Sequence, residues 1–241
     1  MATYVLIAGA WHGSWCWVEV VRMLEAAGHR VLTPNLLGTQ AEDEPETTEP
    51  LQRWAEQIAD IVRQEVDEVV LVGHSRAGLV ISEVAERVPE KIDLLVYLAA
   101  YLLQDGQTLN DWAQRALDAD AMTNAVAFHS DGTCTIKPEF LEKIFYNRTS
   151  AHFIDFARAR TVPEPIAAFM SPIQISHERF GSVRRGYIEC LQDQAIPLDM
   201  QKAMQAPFPN VMTVQLDCDH SPFFSMPDEL VSALEKFRHA E

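Results

Sequence analysis

Val69-Val70-Leu71-Val72 runs directly into Gly73-His74-Ser75-Arg76-Ala77-Gly78, and a helical pattern opens at Leu79. This junction constrains the chain more than any other stretch. A buried strand that turns within a few residues into a helix brings two backbones together, so the positions flanking the turn must be small. Gly73 and Ala77 meet that demand. Ser75 stands at the tip, where its hydroxyl is lifted clear of the strand and its backbone is expected in a strained region. Gly-x-Ser-x-small alone describes many ordinary turns. The strand before it and the helix after it are what make Ser75 a candidate nucleophile.

The rest of the chain agrees with that placement. Short β-branched runs at Thr3 to Ala8, His29 to Thr33, Glu68 to Val72, Leu94 to Leu98, Gly186 to Cys190 and Val211 to Leu216 read as strands. Longer amphipathic stretches near Ser14 to Ala27, Leu51 to Gln64, Ala77 to Val88 and Pro227 to Arg238 read as helices. Strand–helix alternation predicts an α/β fold built on a mainly parallel sheet of about six strands. Such sheets carry their sites at the carboxyl ends of the strands, where the Ser75 turn falls.

The alternation lapses across residues 103–184, which reads as an insertion covering the site, with 1–102 and 185–241 forming the core. Within it, Asp131-Gly132 separates Ala125-Val126-Ala127-Phe128 from Thr133-Cys134-Thr135-Ile136, a β-hairpin signature. Helical stretches near Phe140 to Tyr146 and His152 to Ala159 follow. A cap of this kind encloses a mostly apolar pocket suited to a small organic molecule.

Composition narrows the classes further. A chain of 241 residues can bury one large core as a single domain. A formal charge of −16 argues against a nucleic-acid partner, whose phosphates call for clustered Lys and Arg. No run approaches the roughly 18 apolar residues of a membrane span. The start, Met1-Ala2-Thr3-Tyr4, enters a strand at once, so no secretory signal is expected. The four cysteines are widely spaced without metal-ligand pairs, in keeping with reduced thiols and a cytoplasmic location. Neither a metal nor a cofactor is called for. Self-association into a homodimer is left open.

A serine hydroxyl needs a base to take its proton and a third group to orient that base. Among eight histidines, His220 follows the last strand on a polar loop and can reach the sheet's carboxyl edge. The acid is less obvious. Asp193 lies just past the penultimate strand, in Leu191-Gln192-Asp193-Gln194, and is favoured over Asp217 and Asp219, whose closeness to His220 in sequence works against meeting the ring. Acyl transfer also needs two main-chain N–H groups aimed at the developing oxyanion. Arg76 supplies one. Ala10, in the glycine-spaced loop Ala8-Gly9-Ala10-Trp11-His12-Gly13, is the candidate for the other. The Arg76 side chain buttresses an acidic residue of the insertion, meets a substrate carboxylate or is simply solvated. Trp11, Tyr101, Trp112 and Phe223 are candidate pocket walls by their placement beside these loops or in the insertion.

Together, the first loop through Trp17, Val72-Gly73-His74-Ser75, the hairpin, Tyr187-Ile188 with Asp193 and Ile196-Pro197, and Asp219-His220 resemble the α/β-hydrolase branch of methyl-ester esterases and hydroxynitrile lyases. The resemblance spans essentially the whole chain. It implies a Ser-Asp-His triad at Ser75, Asp193 and His220, with oxyanion donors at Ala10 and Arg76. Three positions depart from the family's pattern. Ala8 replaces a histidine, which bears on support of the first loop, and Ala77 replaces a glycine. Ser221 and Gly9 stand where the lyases carry a lysine and a threonine, so a departing cyanide would have no stabilising charge. The resemblance therefore points to a serine carboxylic-ester hydrolase acting on small, mostly apolar esters. A carbon–carbon bond hydrolase or lyase, a cofactor-free oxygenase and a low-turnover receptor remain as rivals.

Overall fold

The computed structural model describes residues 1–40, 48–115 and 124–240. The strands in chain order are β1 (Thr3–Ile7), β2 (Arg30–Leu32), β3 (Val69–His74), β4 (Ile92–Leu98), β5 (Val126–Phe128), β6 (Thr133–Ile136), β7 (Glu164–Pro165), β8 (Arg184–Cys190) and β9 (Val211–Leu216). Six of them form one sheet in the order β2-β1-β3-β4-β8-β9, and every pairing in it is parallel. The remaining three make a small antiparallel sheet, β5-β6-β7.

The helices of the core follow the predicted alternation. They are α1 (Val18–Ala26), α2 (Pro50–Gln64) and α3 (Ala77–Arg87) in the first half of the chain. The predicted first helix is divided: Ser14–Trp17 forms a 3-10 turn before α1 begins. In α2 the buried residues Leu51, Trp54, Ala55, Ile58, Ala59 and Val62 recur at helical spacing, and Pro50 supplies a first-turn position that needs no N–H partner. The central strands β1, β3, β4 and β8 are largely buried on both faces, as parallel strands between two helix layers must be, while the edge strands β2 and β9 are more exposed. Tyr4 and Leu6 join one apolar cluster with Leu24, Leu230 and Leu234, while Val5 and Ile7 join the other with Ile58 and Val80.

The chain leaves the large sheet after β4 and returns at β8. Between them lie α4 (Leu109–Ala113), the hairpin β5–β6, α5 (Pro138–Phe145), α6 (Ala151–Arg158), β7 and α7 (Ile166–Met170). The hairpin pairs Val126 with Ile136 and Phe128 with Cys134, and its turn rests on Gly132 at φ +85°. Asp131 closes that turn by accepting bonds from the Thr133 N–H and hydroxyl, at 3.0 and 2.7 Å. Strand β7 was not legible in advance, because a Glu-Pro pair has little strand propensity of its own. After β8 come α8 (Leu198–Gln205), α9 (Pro222–Ser225) and α10 (Pro227–His239).

The turn at Ser75 is as tight as its small residues imply. A Cβ built on Gly73 would lie 2.8 Å from the Ala77 carbonyl oxygen, well inside van der Waals contact. One on Gly78 would meet the Tyr101 main chain. Replacing Gly73 with valine is therefore expected to destabilise the fold by about 1–3 kcal/mol through overpacking. Urea unfolding measures this as a lowered midpoint at unchanged slope.

Candidate active site

Ser75 sits between β3 and α3 with φ +55°, a left-handed conformation rare for a residue with a side chain. Its main chain is fixed on both sides. The Ser75 N–H donates to the Leu98 carbonyl at 3.1 Å, and the Ser75 carbonyl accepts from Gly78 and Tyr101 N–H groups, each at 3.1 Å. The sharp turn leaves Ser75 partly exposed amid buried neighbours. It lines a cavity of about 210 Å³ together with Ala10, Trp11, Arg76 and Tyr101.

The loops after β8 and β9 are laced together: Leu191 and Gln192 N–H groups donate to the Leu216 and Cys218 carbonyls, each at 2.9 Å. That lacing brings Asp193 and His220 into contact. His220 Nδ1 lies 2.6 Å from Asp193 Oδ2, and both side chains are buried. The other Asp193 oxygen accepts from the Ala195 and Ile196 N–H groups at 2.7 and 2.8 Å. The carboxylate is thus held by its own turn as well as by the ring. With Nδ1–H donated to Asp193, the lone pair of neutral His220 is on Nε2, a buried atom without a hydrogen-bond partner among the described residues. His74, adjacent to Ser75, completes the link. Its Nε2–H donates to the His220 carbonyl at 2.8 Å, and the two rings stand 4.5 Å apart.

Asp219 has a different task. Its oxygens accept from the Arg148 N–H (2.9 Å), the Thr149 hydroxyl (2.8 Å), the Ser221 N–H (3.1 Å) and the Ser225 hydroxyl (2.7 Å). It fastens the turn between α5 and α6 to the His220 loop and does not meet the ring. Asp217 is exposed and bonds Gln192.

Two main-chain N–H groups at the cavity, those of Ala10 and Arg76, have no acceptor among the described residues. The Arg76 side chain turns away into the interior, where its Nε–H donates to Glu164 Oε1 at 2.6 Å. Of the three readings open to it on sequence grounds, the structure gives it an acidic residue of the insertion. The guanidinium also lies 4.5 Å over the Trp54 ring. Both members of this pair are buried, and burial pushes the Glu164 carboxyl above its ordinary range against the pull of Arg76.

The remaining walls are nearly all apolar. Phe145, Phe169, Val126, Ile166 and Ile196 line the cavity, with Phe128 and Met170 combining lining positions with exposures of 62% and 53%. Two expected wall residues do not line it. Trp112 lies about 100° around α4 from Ala113, which does, and instead packs into the core with its indole N–H on Gln107. Phe223 stands behind the site, its ring 5.1 Å from His74 and 5.3 Å from Trp17. Position beside a loop of the site says nothing about which side of that loop a ring occupies. The helix-spaced Leu109, Asn110 and Ala113 were the signal for the true α4 wall.

The profile described as "Alpha/beta hydrolase family" matches residues 4–233. The chain belongs to the α/β hydrolase family. A carbendazim-hydrolyzing esterase of Nocardioides sp. (strain SG-4G) is 31% identical over 240 residues, covering 97% of this chain and 98% of that protein. Methylesterase 7 of Arabidopsis thaliana is 30% identical over 251 residues, covering 96% and 94% of the two chains. Among solved structures of the family's fold, a pyrethroid hydrolase from Sphingobium faniae JZ-2 superposes with a TM-score of 0.90 at 27% identity. That match covers 99% of this chain and 98% of the other. No helix among the described residues is long and apolar enough to cross a membrane.

Behind this α/β-hydrolase site lies a second histidine arrangement. His12 Nδ1–H donates to the Ala10 carbonyl at 2.7 Å, so its Nε2 accepts from the Tyr146 hydroxyl at 2.5 Å. Burial is the main force moving His12 from 6.5 down to about 4, and burial also holds His74 well below 6.5. In the unfolded chain both rings take up a proton below about pH 6.5, while the folded protein holds them neutral. Stability is therefore fully present above pH 6.5 and is lost as pH falls toward 4, by about 3 kcal/mol for His12 alone. Guanidinium midpoints measured from pH 7.5 to 4.5 should fall across that window. The His12→Gln protein should show a shallower fall.

Proposed function

We propose that this α/β hydrolase cleaves small, uncharged, mostly apolar carboxylic esters through an acyl-enzyme on Ser75. His220 removes the hydroxyl proton as Ser75 attacks the ester carbonyl. Asp193 holds the imidazole in the tautomer that leaves Nε2 free to accept, and it stabilises the imidazolium that forms. The Ala10 and Arg76 N–H groups receive the oxyanion. His220 then protonates the departing alcohol, and water follows the same route to release the acid.

The single observation that carries this reading is the buried Asp193–His220 contact of 2.6 Å, on a loop bonded to the residue preceding the strained Ser75. The relatives' names, esterase, methylesterase and pyrethroid hydrolase, support ester cleavage over the lyase alternative. So does Ser221, which brings no positive charge next to His220. The preference for uncharged substrates follows from the walls. Among the described residues that line the cavity, Arg76 is the one that carries a charge, and its guanidinium is engaged by Glu164. Residues 103–184 act as the cap over this pocket, contributing Phe145, Phe169 and the exposed Phe128 and Met170. The four free, buried cysteines support a reducing compartment, taken as the cytoplasm.

Mixing the protein with excess p-nitrophenyl acetate tests the reading. A burst of p-nitrophenol with an acetyl adduct by intact mass is expected, and Ser75→Ala should lose both while remaining folded. Retention of more than about a tenth of turnover in Ser75→Ala rules out the nucleophile, since removal of a triad serine costs orders of magnitude. Asp193→Asn should lower kcat by about 10³–10⁴-fold through the wrong imidazole tautomer. Asp219→Asn should chiefly lower thermal stability; a larger loss of kcat there than in Asp193→Asn would reassign the acid.

A further inference from the structure

Arg76 and Glu164 form an ion pair with 1% and 0% of their side chains exposed, in a protein that has ample surface for charge. Taking two charges out of water costs about as much as their attraction returns, so such a pair is weak evidence for stability. Its surroundings suggest another role. Arg76 Nη2–H donates to the Gly9 carbonyl at 3.3 Å as well as to Glu164 Oε2 at 3.3 Å. The same Glu164 oxygen accepts the Trp11 N–H at 3.3 Å. One charged pair therefore grips both peptide groups that flank Ala10.

The geometry of a peptide makes that grip directional. A trans peptide is planar, with its C=O and N–H pointing to opposite sides. Fixing the Gly9 carbonyl on Arg76, and on the His12 N–H at 3.3 Å, therefore sends the Ala10 N–H the other way. That N–H has no other acceptor among the described residues, and Ala10 lines the cavity. Turned over, the same peptide would present a carbonyl dipole to the oxyanion. The neighbouring Trp11 holds φ +62°, a conformation that persists only where its surroundings enforce it. Three contacts do so, all from the inserted segment: Glu164 on the N–H, Val162 N–H on the carbonyl at 3.2 Å, and the Cys134 carbonyl on the indole N–H at 3.1 Å. Ala8, where the family's pattern has a histidine, offers no polar side chain to this loop.

We propose that Arg76 and Glu164 are positioning residues that lock the Gly9–Ala10 peptide with its N–H toward the oxyanion, so that the cap assembles the hole it covers. This rests on the ester-hydrolase reading for its kinetic consequence, while the peptide orientation can be read without turnover. Neither side chain touches the reacting atoms; each acts through the main chain of the first loop.

The test is the double variant Arg76→Met/Glu164→Leu, which removes both charges together and leaves neither unpaired. A well-packed apolar replacement of a buried pair commonly folds as well as the parent. With p-nitrophenyl acetate, kcat should fall about 10–100-fold while KM changes less than about threefold, because the loss is confined to charge that develops in the transition state. Affinity for an arylboronic acid, which places an oxygen in the hole, should fall by the same factor as kcat/KM. A crystal structure of the unliganded variant should contain the Gly9–Ala10 peptide turned or in more than one orientation. Should the double variant fold poorly, Glu164→Gln, close in shape and uncharged, carries the same measurements. A folded variant with kcat within threefold of the parent, or with the peptide unmoved, overturns the assignment. A parent protein that forms no acyl adduct, beside a variant whose peptide turns, ends the ester-hydrolase reading and leaves the positioning role standing.

Discussion

The close approach of β3 and α3 around Ser75 is the constraint on which the remainder of this molecule rests. A strand can pass into a helix in three residues only if the two backbones nearly touch, and the 2.8 Å that separates an imagined Gly73 Cβ from the Ala77 carbonyl measures how little room there is. The same crowding forces Ser75 to φ +55°. That conformation costs free energy, and it persists because its carbonyl and N–H are both bonded, to α3, to the segment after β4 and to β4 itself. Gly9 belongs to the same packing problem. A Cβ there would lie 2.8 Å from the Ser75 Cβ, so the first loop can reach the serine only as glycine.

Around that point the interior is unusually polar for its burial, and its polar groups are largely paired. Asp193, Asp219, Glu164, Arg76, His12, His74 and His220 are all buried. Each carboxylate accepts from several donors: Asp193 from its own turn and the imidazole, Asp219 from two loops, Glu164 from Arg76 and Trp11. Such groups are expensive when any partner is lost. They therefore act as fasteners: Asp219 and Glu164 each tie the inserted segment to a loop of the core. The polar atoms without partners are as informative. Among the described residues, His220 Nε2 and the Ala10 and Arg76 N–H groups have none, and these are the contacts that the proposed ester hydrolysis uses.

Legibility in the sequence varied with the range of the cause. The six core strands and the four principal helices follow from periodicity over a few residues, and so does the hairpin, announced by Asp131-Gly132 between two short runs. That Ser75, Asp193 and His220 each follow a strand needs only the order of elements. Strand β7 was missed because its pairing with β6 comes from tertiary neighbours and not from Glu164-Pro165. Trp112 and Phe223 were assigned to the pocket by proximity in sequence, yet each points away from it. A side chain's direction depends on helix phase and on which layer covers the loop, and neither is encoded within five residues.

By itself, the sequence determined the alternation of strand and helix, the small residues that permit the turn at Ser75, and which serine, histidine and carboxylates follow the strands. These depend on local sterics and on side-chain chemistry, which a linear string carries in full. Only the tertiary structure decided that Arg76 would find Glu164, 88 positions along the chain, and that the pair would meet the main chain on both sides of Ala10. It also decided that Asp193, at 27 residues' remove, would orient His220, while the adjacent Asp219 would hold the insertion instead. Pairings of this kind are set by where the strands of a parallel sheet end in space. Distance along the chain does not contain that information.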